Sequence, residues 1–126
     1  MNKNNGARAL SIDICARSSY KIQVGAVLTD KNGRIFAWGW NHPSADGFTE
    51  HAEAHAVSRA NHYRLRGSRL IVAGRKQKNG SWVWVLSKPC ERKCLPMALN
   101  LGISEVEFIT PSGDWEILKL KYARVR

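Results

Sequence analysis

Two short segments concentrate the side chains able to do chemistry at neutral pH. His51-Ala52-Glu53 sets an imidazole two residues ahead of a carboxylate, and Pro89-Cys90-Glu91-Arg92-Lys93-Cys94 sets two thiols four residues apart. One imidazole and two thiolates make a three-ligand set for zinc, and a catalytic site of that kind keeps its fourth position for water. Zinc lowers the pKa of such a water from about 15.7 toward 7. A carboxylate beside the ion can then shuttle protons, and Glu53 is the candidate for that work. Helix N-termini favour the thiolate form of nearby cysteines. A second arrangement is also open. His51 and His55 are four residues apart, so on one helical face they and the two thiols could close a Cys2His2 structural site with no room for water. Cys15 sits among apolar residues and is expected in the core.

The elements that must position these residues alternate along the chain. Ala7 to Ser19 places Leu10, Ile14 and Cys15 at helical spacing. Gln23 to Thr29 and Arg34 to Trp40 read as two strands joined by Asp30-Lys31-Asn32-Gly33, a hairpin signal. Phe36, Trp38 and Trp40 alternate onto one face of the second strand. His42 to Phe48 is rich in loop formers, and Thr49 is a plausible N-cap for a helix from Glu50 to about Arg64. Arg69 to Gly74 is expected as a strand, Lys76 to Gly80 as a polar loop, and Ser81 to Leu86 as another extended piece. Trp82 and Trp84 share a face of that piece, where core packing is favoured over base stacking. Leu95 to Leu101 reads as a short helix stopped by Gly102. Glu105 to Thr110 and Trp115 to Leu120 are joined by only four residues, too few for a parallel crossover, so that pair is expected to be antiparallel. Helices interleaved with strands define an α/β or α+β class with a mixed sheet.

With these elements in order, the chain resembles the zinc-dependent cytidine and deoxycytidylate deaminase superfamily, whose signature is H-x-E followed by P-C-x-x-C. Val24-Gly25-Ala26-Val27 followed by Gly39-Trp40-Asn41-His42 is similar to the first hairpin of that family, and the likeness spans roughly residues 7–120. The resemblance implies an α/β fold of three layers, a mixed five-stranded sheet flanked by helices. It implies a zinc ion held by His51, Cys90 and Cys94, Glu53 as general acid and base, and Asn41 and Ala52 as substrate contacts. One departure stands out: three residues separate Cys90 and Cys94 where the usual pattern has two. Pro96 suits the first turn of a helix that begins late, leaving Cys90 in a loop. Members acting on polynucleotides tolerate such spacings. Members acting on free cytidine usually carry Cys where His51 stands, whereas His-Ala-Glu is typical of those acting on deoxycytidylate, tRNA adenosine or polynucleotide cytosine. The antiparallel last pair differs from the tRNA-adenosine branch.

Charge bears on the substrate. The chain has 126 residues and a formal net charge of +10. Residues 59–93 hold ten Lys and Arg against Glu91 alone, net +9, so this one stretch carries nearly all the excess. Such a patch meets phosphate or an acidic surface, or else solubilises a face. Arg75, Lys76, Lys78, Lys88, Arg92 and Lys93 are its candidate nucleic-acid contacts. The expected reaction is therefore conversion of cytosine to uracil, with single-stranded DNA or RNA favoured as substrate. A free (d)CMP or nucleoside deaminase and a non-catalytic nucleic-acid-binding module with structural zinc are the alternatives. The length fits a single domain over residues 1–126, with 1–6 expected to be flexible. No apolar run approaches the roughly 20 residues of a membrane helix, and Met1 to Gly6 lacks the apolar region of a signal peptide. Three cysteines fit a disulfide framework poorly, so a reducing cytoplasm is expected. Edge strands and exposed Trp residues permit a homo-oligomer.

Overall fold

A computed structural model describes residues 5–121. Helix α1 runs Asn5–Cys15; strands β1 (Ile22–Thr29) and β2 (Ile35–Trp40) form the first hairpin. A two-residue ladder follows, β3 (His42–Pro43) against β4 (Thr49–Glu50), then α2 (Ala52–Arg59) and a 3₁₀ turn at His62–Arg64. Next come β5 (Arg69–Lys78), β6 (Ser81–Trp84), α3 (Cys94–Asn100), β7 (Glu105–Ile109) and β8 (Trp115–Lys119). The expectation of a flexible stretch 1–6 falls outside the described residues for 1–4, while Asn5 and Gly6 open α1.

The main sheet has the order β2-β1-β5-β7-β8, with β6 on β5 as a sixth strand. Among the described residues only β5 and β7 are parallel; β7 and β8 are antiparallel, as their short connection requires. The α/β, three-layer expectation holds, but the sheet is larger than the five strands expected. The reason is the segment read as a polar loop. Asn79 and Gly80 both have positive φ (52° and 80°), the backbone of a tight hairpin turn, so β5 runs on to Lys78 and β6 folds back on it. Asn-Gly tolerates that conformation as few pairs do.

Two faces are covered. The α1 side packs Ala7 with Val27 and Ile71, and Cys15 with Ala73 and Ile109. The other side is the main core, where Ala52, Ala56 and Val57 of α2 and Ala98 of α3 meet Ala26, Leu28, Leu70, Val72, Val106 and Phe108. Successive strand residues point to opposite faces, which is why Val27 and Leu28 serve different layers. Close approach of α2 to β2 depends on Gly39, since a Cβ there would lie 2.4 Å from the Ala56 amide nitrogen.

Helix α2 is shorter than the expected 50–64 span. Glu50 and Thr49 are taken by the ladder with β3, so Thr49 is not the N-cap; His51 is, in extended conformation (φ −68°, ψ 151°). Helix α3 starts one residue earlier than expected, with Pro96 in its first turn, where its missing N–H costs nothing. Cys90 lies in the preceding loop, as the spacing predicts.

Candidate functional site

His51 and the two thiols converge although 39 to 43 residues separate them. His51 Nδ1 stands 3.3 Å from Cys94 Sγ and 3.7 Å from Cys90 Sγ. The Cys94 amide donates to Cys90 Sγ at 3.3 Å, and the Leu95 amide donates to the Cys90 carbonyl at 2.9 Å. The loop is thus wound onto the start of α3, and the extra residue between the thiols is absorbed in that turn. Three donors within 4.8 Å of one another could hold a metal ion. A tetrahedral zinc about 2.0 Å from nitrogen and 2.3 Å from sulfur sets N and S about 3.6 Å apart, so the observed separations fit zinc. Burial, with the Glu53 carboxylate and Cys90 nearby, pushes the Cys94 thiol far up in the metal-free protein. Metal binding at such a thiol must release its proton.

Glu53 sits in the first turn of α2 and is buried. Burial pushes its carboxyl up to about 7, opposed only weakly by a backbone hydrogen bond. A group poised near neutrality can both accept and donate a proton. Glu53, His51, Ala52, Asn41 and Cys90 line one cavity of about 260 Å³ with Val24, Thr49, Leu86, Ser87 and Lys88. The cavity lies beside the second half of β5, since its Val24 pairs with Gly74 and its Ser87 packs against Gly74. Asn41 Oδ1 accepts from the Val24 amide (2.9 Å) and its Nδ2 donates to the Ile22 carbonyl (2.8 Å), so this side chain is locked to β1 with one N–H still unused.

The Cys2His2 arrangement is not assembled. As an extended cap residue, His51 is off the helical stripe that carries His55. Instead His55 Nδ1 accepts the Trp40 amide at 3.2 Å, and the ring packs against His42, itself 3.3 Å from Glu50. His42, Glu50 and His55 also lie close together. The Trp40 bond, however, selects the His55 tautomer protonated on Nε2, which makes that atom a donor and not a ligand.

The basic stretch splits between the two ends of the sheet. Arg69 pairs across from Thr29 and binds Glu105, Arg64 binds Asp30, and Arg66 lies beside Gly102; all are remote from the cavity end of β5. At the cavity end, Lys88 lines the site and pairs with Glu91. Arg75, Lys76 and Lys78 occupy the outer half of β5, and Arg92 and Lys93 are exposed just before α3. The two tryptophans divide as well: Trp84 packs into the core with Cys15 and Ala73, while Trp82 is 47% exposed. Thr49, Leu86 and Ser87 were not foreseen as lining residues. Their only sequence signal is adjacency to His51 and to Pro89-Cys90.

A family model of the cytidine and deoxycytidylate deaminase zinc-binding region matches residues 2–110. The chain belongs to this family. No curated protein matches it in sequence. Among solved structures it is similar to a dCMP deaminase from cyanophage S-TIM5 (21% identity, TM-score 0.63, covering 85% of this chain and 82% of that one). It is also similar to a cytidine deaminase from Burkholderia pseudomallei (19%, TM-score 0.69, 95% and 94%). A third likeness is to the Mycobacterium tuberculosis cytidine deaminase (24%, TM-score 0.55, 90% and 86%). These likenesses show that the fold is the deaminase one. The matched zinc-binding region and the His–Cys–Cys group together identify zinc as the cofactor. Among the described residues, no helix is long and apolar enough to cross a membrane.

Proposed function

We propose that this chain is a hydrolytic deaminase that converts cytosine to uracil, with single-stranded DNA or RNA as its substrate. The observation that carries the reading is one cavity lined by a buried Glu53 carboxyl together with His51 and Cys90, with Cys94 3.3 Å from His51. In this reading His51, Cys90 and Cys94 hold the zinc, which supplies a lowered pKa to the attacking water. Glu53 takes a proton from that water as its oxygen adds to C4 of the base. Glu53 returns the proton to the ring nitrogen and carries the next to the departing amine. The C4–N4 bond breaks, ammonia leaves, and the carbonyl of uracil remains. Asn41 and the Ala52 backbone border the substrate. Three free cysteines suit action in a reducing cytoplasm.

The polynucleotide preference is supported by the cations at the cavity end of the sheet, more than one nucleotide needs. A specific observation favours free (d)CMP instead: Lys88 is the sole cation among the residues lining the cavity, enough for one phosphate. Turnover of a cytosine-containing oligonucleotide and of dCMP, each measured across salt concentrations, separates the two. Polynucleotide action falls steeply as salt rises. Good dCMP turnover with a flat salt response overturns the preference, and no uracil from any cytosine substrate overturns the reaction.

A further inference from the structure

Beside the catalytic cavity lies a second, larger cleft of about 700 Å³, lined by Ser19, Tyr20, Lys21, Ile22, Lys76, Gln77 and Trp82. Its size is that of a small-molecule site. Two hydrogen bonds form the wall between the cavities. Tyr20 Oη meets Thr49 Oγ1 at 3.0 Å, and Asn41 Nδ2 donates to the Ile22 carbonyl at 2.8 Å. Each bond joins a residue lining one cavity to a residue lining the other. A ligand leaving the catalytic cavity across Tyr20 therefore enters the second cleft.

The cleft has the composition of a nucleotide site. Trp82 of β6 and Ile22 of β1 are each about half exposed and both line the cleft, so they give it an apolar floor. The Arg75 guanidinium lies 4.0 Å from the Trp82 ring centroid, forming a cation–π stack. That cation is held in place: Arg75 Nε donates to Gln23 Oε1 at 3.0 Å, and Gln23 Nε2 donates to the Ser18 carbonyl at 3.0 Å. The stack is thus oriented before any ligand arrives. Lys21 and Lys76 add positive charge to the lining, and no carboxylate belongs to it. Arg75 is not itself part of the lining but backs the Trp82 ring; an indole plane bordered by two lysines suits a base with its phosphate. A purely apolar partner would find the lysines in its way.

We propose that this cleft binds the nucleotide next to the target cytosine in a single-stranded polynucleotide, its base against the Trp82 ring that Arg75 holds from behind and its phosphate on Lys21 and Lys76. This rests on the polynucleotide reading above. Gln77 offers both a donor and an acceptor to the base edge, so it gives the cleft a modest preference among bases.

The test uses the full zinc-loaded chain and two measurements. One is kcat/KM for a cytidylate mononucleotide, dinucleotide and trinucleotide; the other is equilibrium binding of a fluorescent single-stranded pentanucleotide carrying uracil in place of cytosine. The expected result is a gain in kcat/KM on going from one nucleotide to two. Trp82→Leu, which keeps apolar volume without a stacking plane, should erase about tenfold of that gain and weaken pentanucleotide binding by a similar factor. Trp82→Phe should restore most of both, which a merely structural role for the indole would not predict. Lys76→Glu, on an exposed strand position, should weaken binding more at low salt than at high salt. If chain length leaves kcat/KM unchanged and Trp82→Leu binds the pentanucleotide as the parent does, the cleft is not a nucleotide site, whatever the enzyme deaminates. If no cytosine is deaminated yet binding depends on Trp82 and Lys76 as described, the cleft stands and the reaction falls.

Discussion

Glu53 is a buried carboxyl whose burial pushes its pKa up to about 7 in the metal-free chain, a value that suits passing a proton both ways. In the proposed reaction it moves protons without holding the metal. Glu53→Ala should therefore retain one zinc per chain and lose about a hundred- to ten-thousandfold in ammonia release, the usual worth of a positioned acid or base. Zinc content by metal analysis and ammonia by a coupled assay check the two halves separately; activity near the parental level would end the assignment. The proposed zinc ligands should behave differently. His51→Ala and Cys90→Ala should lose both zinc and thermal stability, because binding energy at such a site is folding energy. Cys15 allows a prediction away from the site. Burial pushes its thiol up from 9.0 to about 11, so the folded chain holds this proton where the unfolded chain releases it. Stability contributed by the protonated thiol is thus complete below pH 9 and falls as pH rises through 11, by about 3 kcal/mol in all. Cys15→Ala should lose less stability than the parent across that window, as urea midpoints at pH 8 and 10.5 would show.

Among the elements, the hairpins and helix ends decide where these residues go. The zinc set was readable because its residue types and contexts are unusual, and the structure brings His51, Cys90 and Cys94 to within 4.8 Å. The rival four-ligand set was equally readable and is absent, because helical spacing was assumed at a residue that caps the helix in extended conformation. Lys76, Gln77 and Lys78 suggested a loop by their polarity, yet strand β5 continues through them on the strength of the Asn79-Gly80 turn. The cleft at Trp82 exists only because β6 folds back there, so its lining could not be read from local patterns. Gly39 gives the element-scale prediction. A methyl group 2.4 Å from the Ala56 amide must push α2 off the sheet, since backbone cannot swing aside. Gly39→Ala should cost about 1–3 kcal/mol, the range for overpacking, and lower zinc occupancy by moving His51. Denaturant unfolding with parallel metal analysis would test both.

For the molecule as a whole, the excess of +9 in residues 59–93 is dispersed: Arg64, Arg66 and Arg69 lie at one end of β5, Arg75, Lys76 and Lys78 at the other, Arg59 on α2 over Trp38 and Trp40, and Arg92 and Lys93 just before α3. Charge along a chain does not reveal this, because a ten-residue strand separates Arg69 from Lys78 by its full length. In the proposed polynucleotide reading, the cations near the cavity are the ones that guide substrate into the site. Neutralising Arg75, Lys76 and Lys78 should raise KM for an oligonucleotide, flatten its dependence on salt and leave zinc in place. Neutralising Arg64 and Arg66 removes charge at the other end and should change KM little. Equal effects from the two sets would mean that net charge, not placement, governs binding. Hydrogen bonds Tyr20–Thr49 and Asn41–Ile22 likewise tie the two cavities into one surface across three separate parts of the chain.

The close seat of α2 on Gly39 has a further consequence for how motion is shared out. With helix backbone against strand backbone, the side of the site that carries His51 and Glu53 is tightly seated, whereas the facing wall mixes buried Ser87 and Pro89 with Leu86, which is 60% exposed. Opening to admit a base must then be a one-sided event. Amide exchange should be slow through residues 52–59 and at Ser87, which is buried and donates to the Ile109 carbonyl, and faster at exposed Leu86, which substrate should slow. A change of substrate could accordingly be written into that wall alone, with the proton-handling side left untouched.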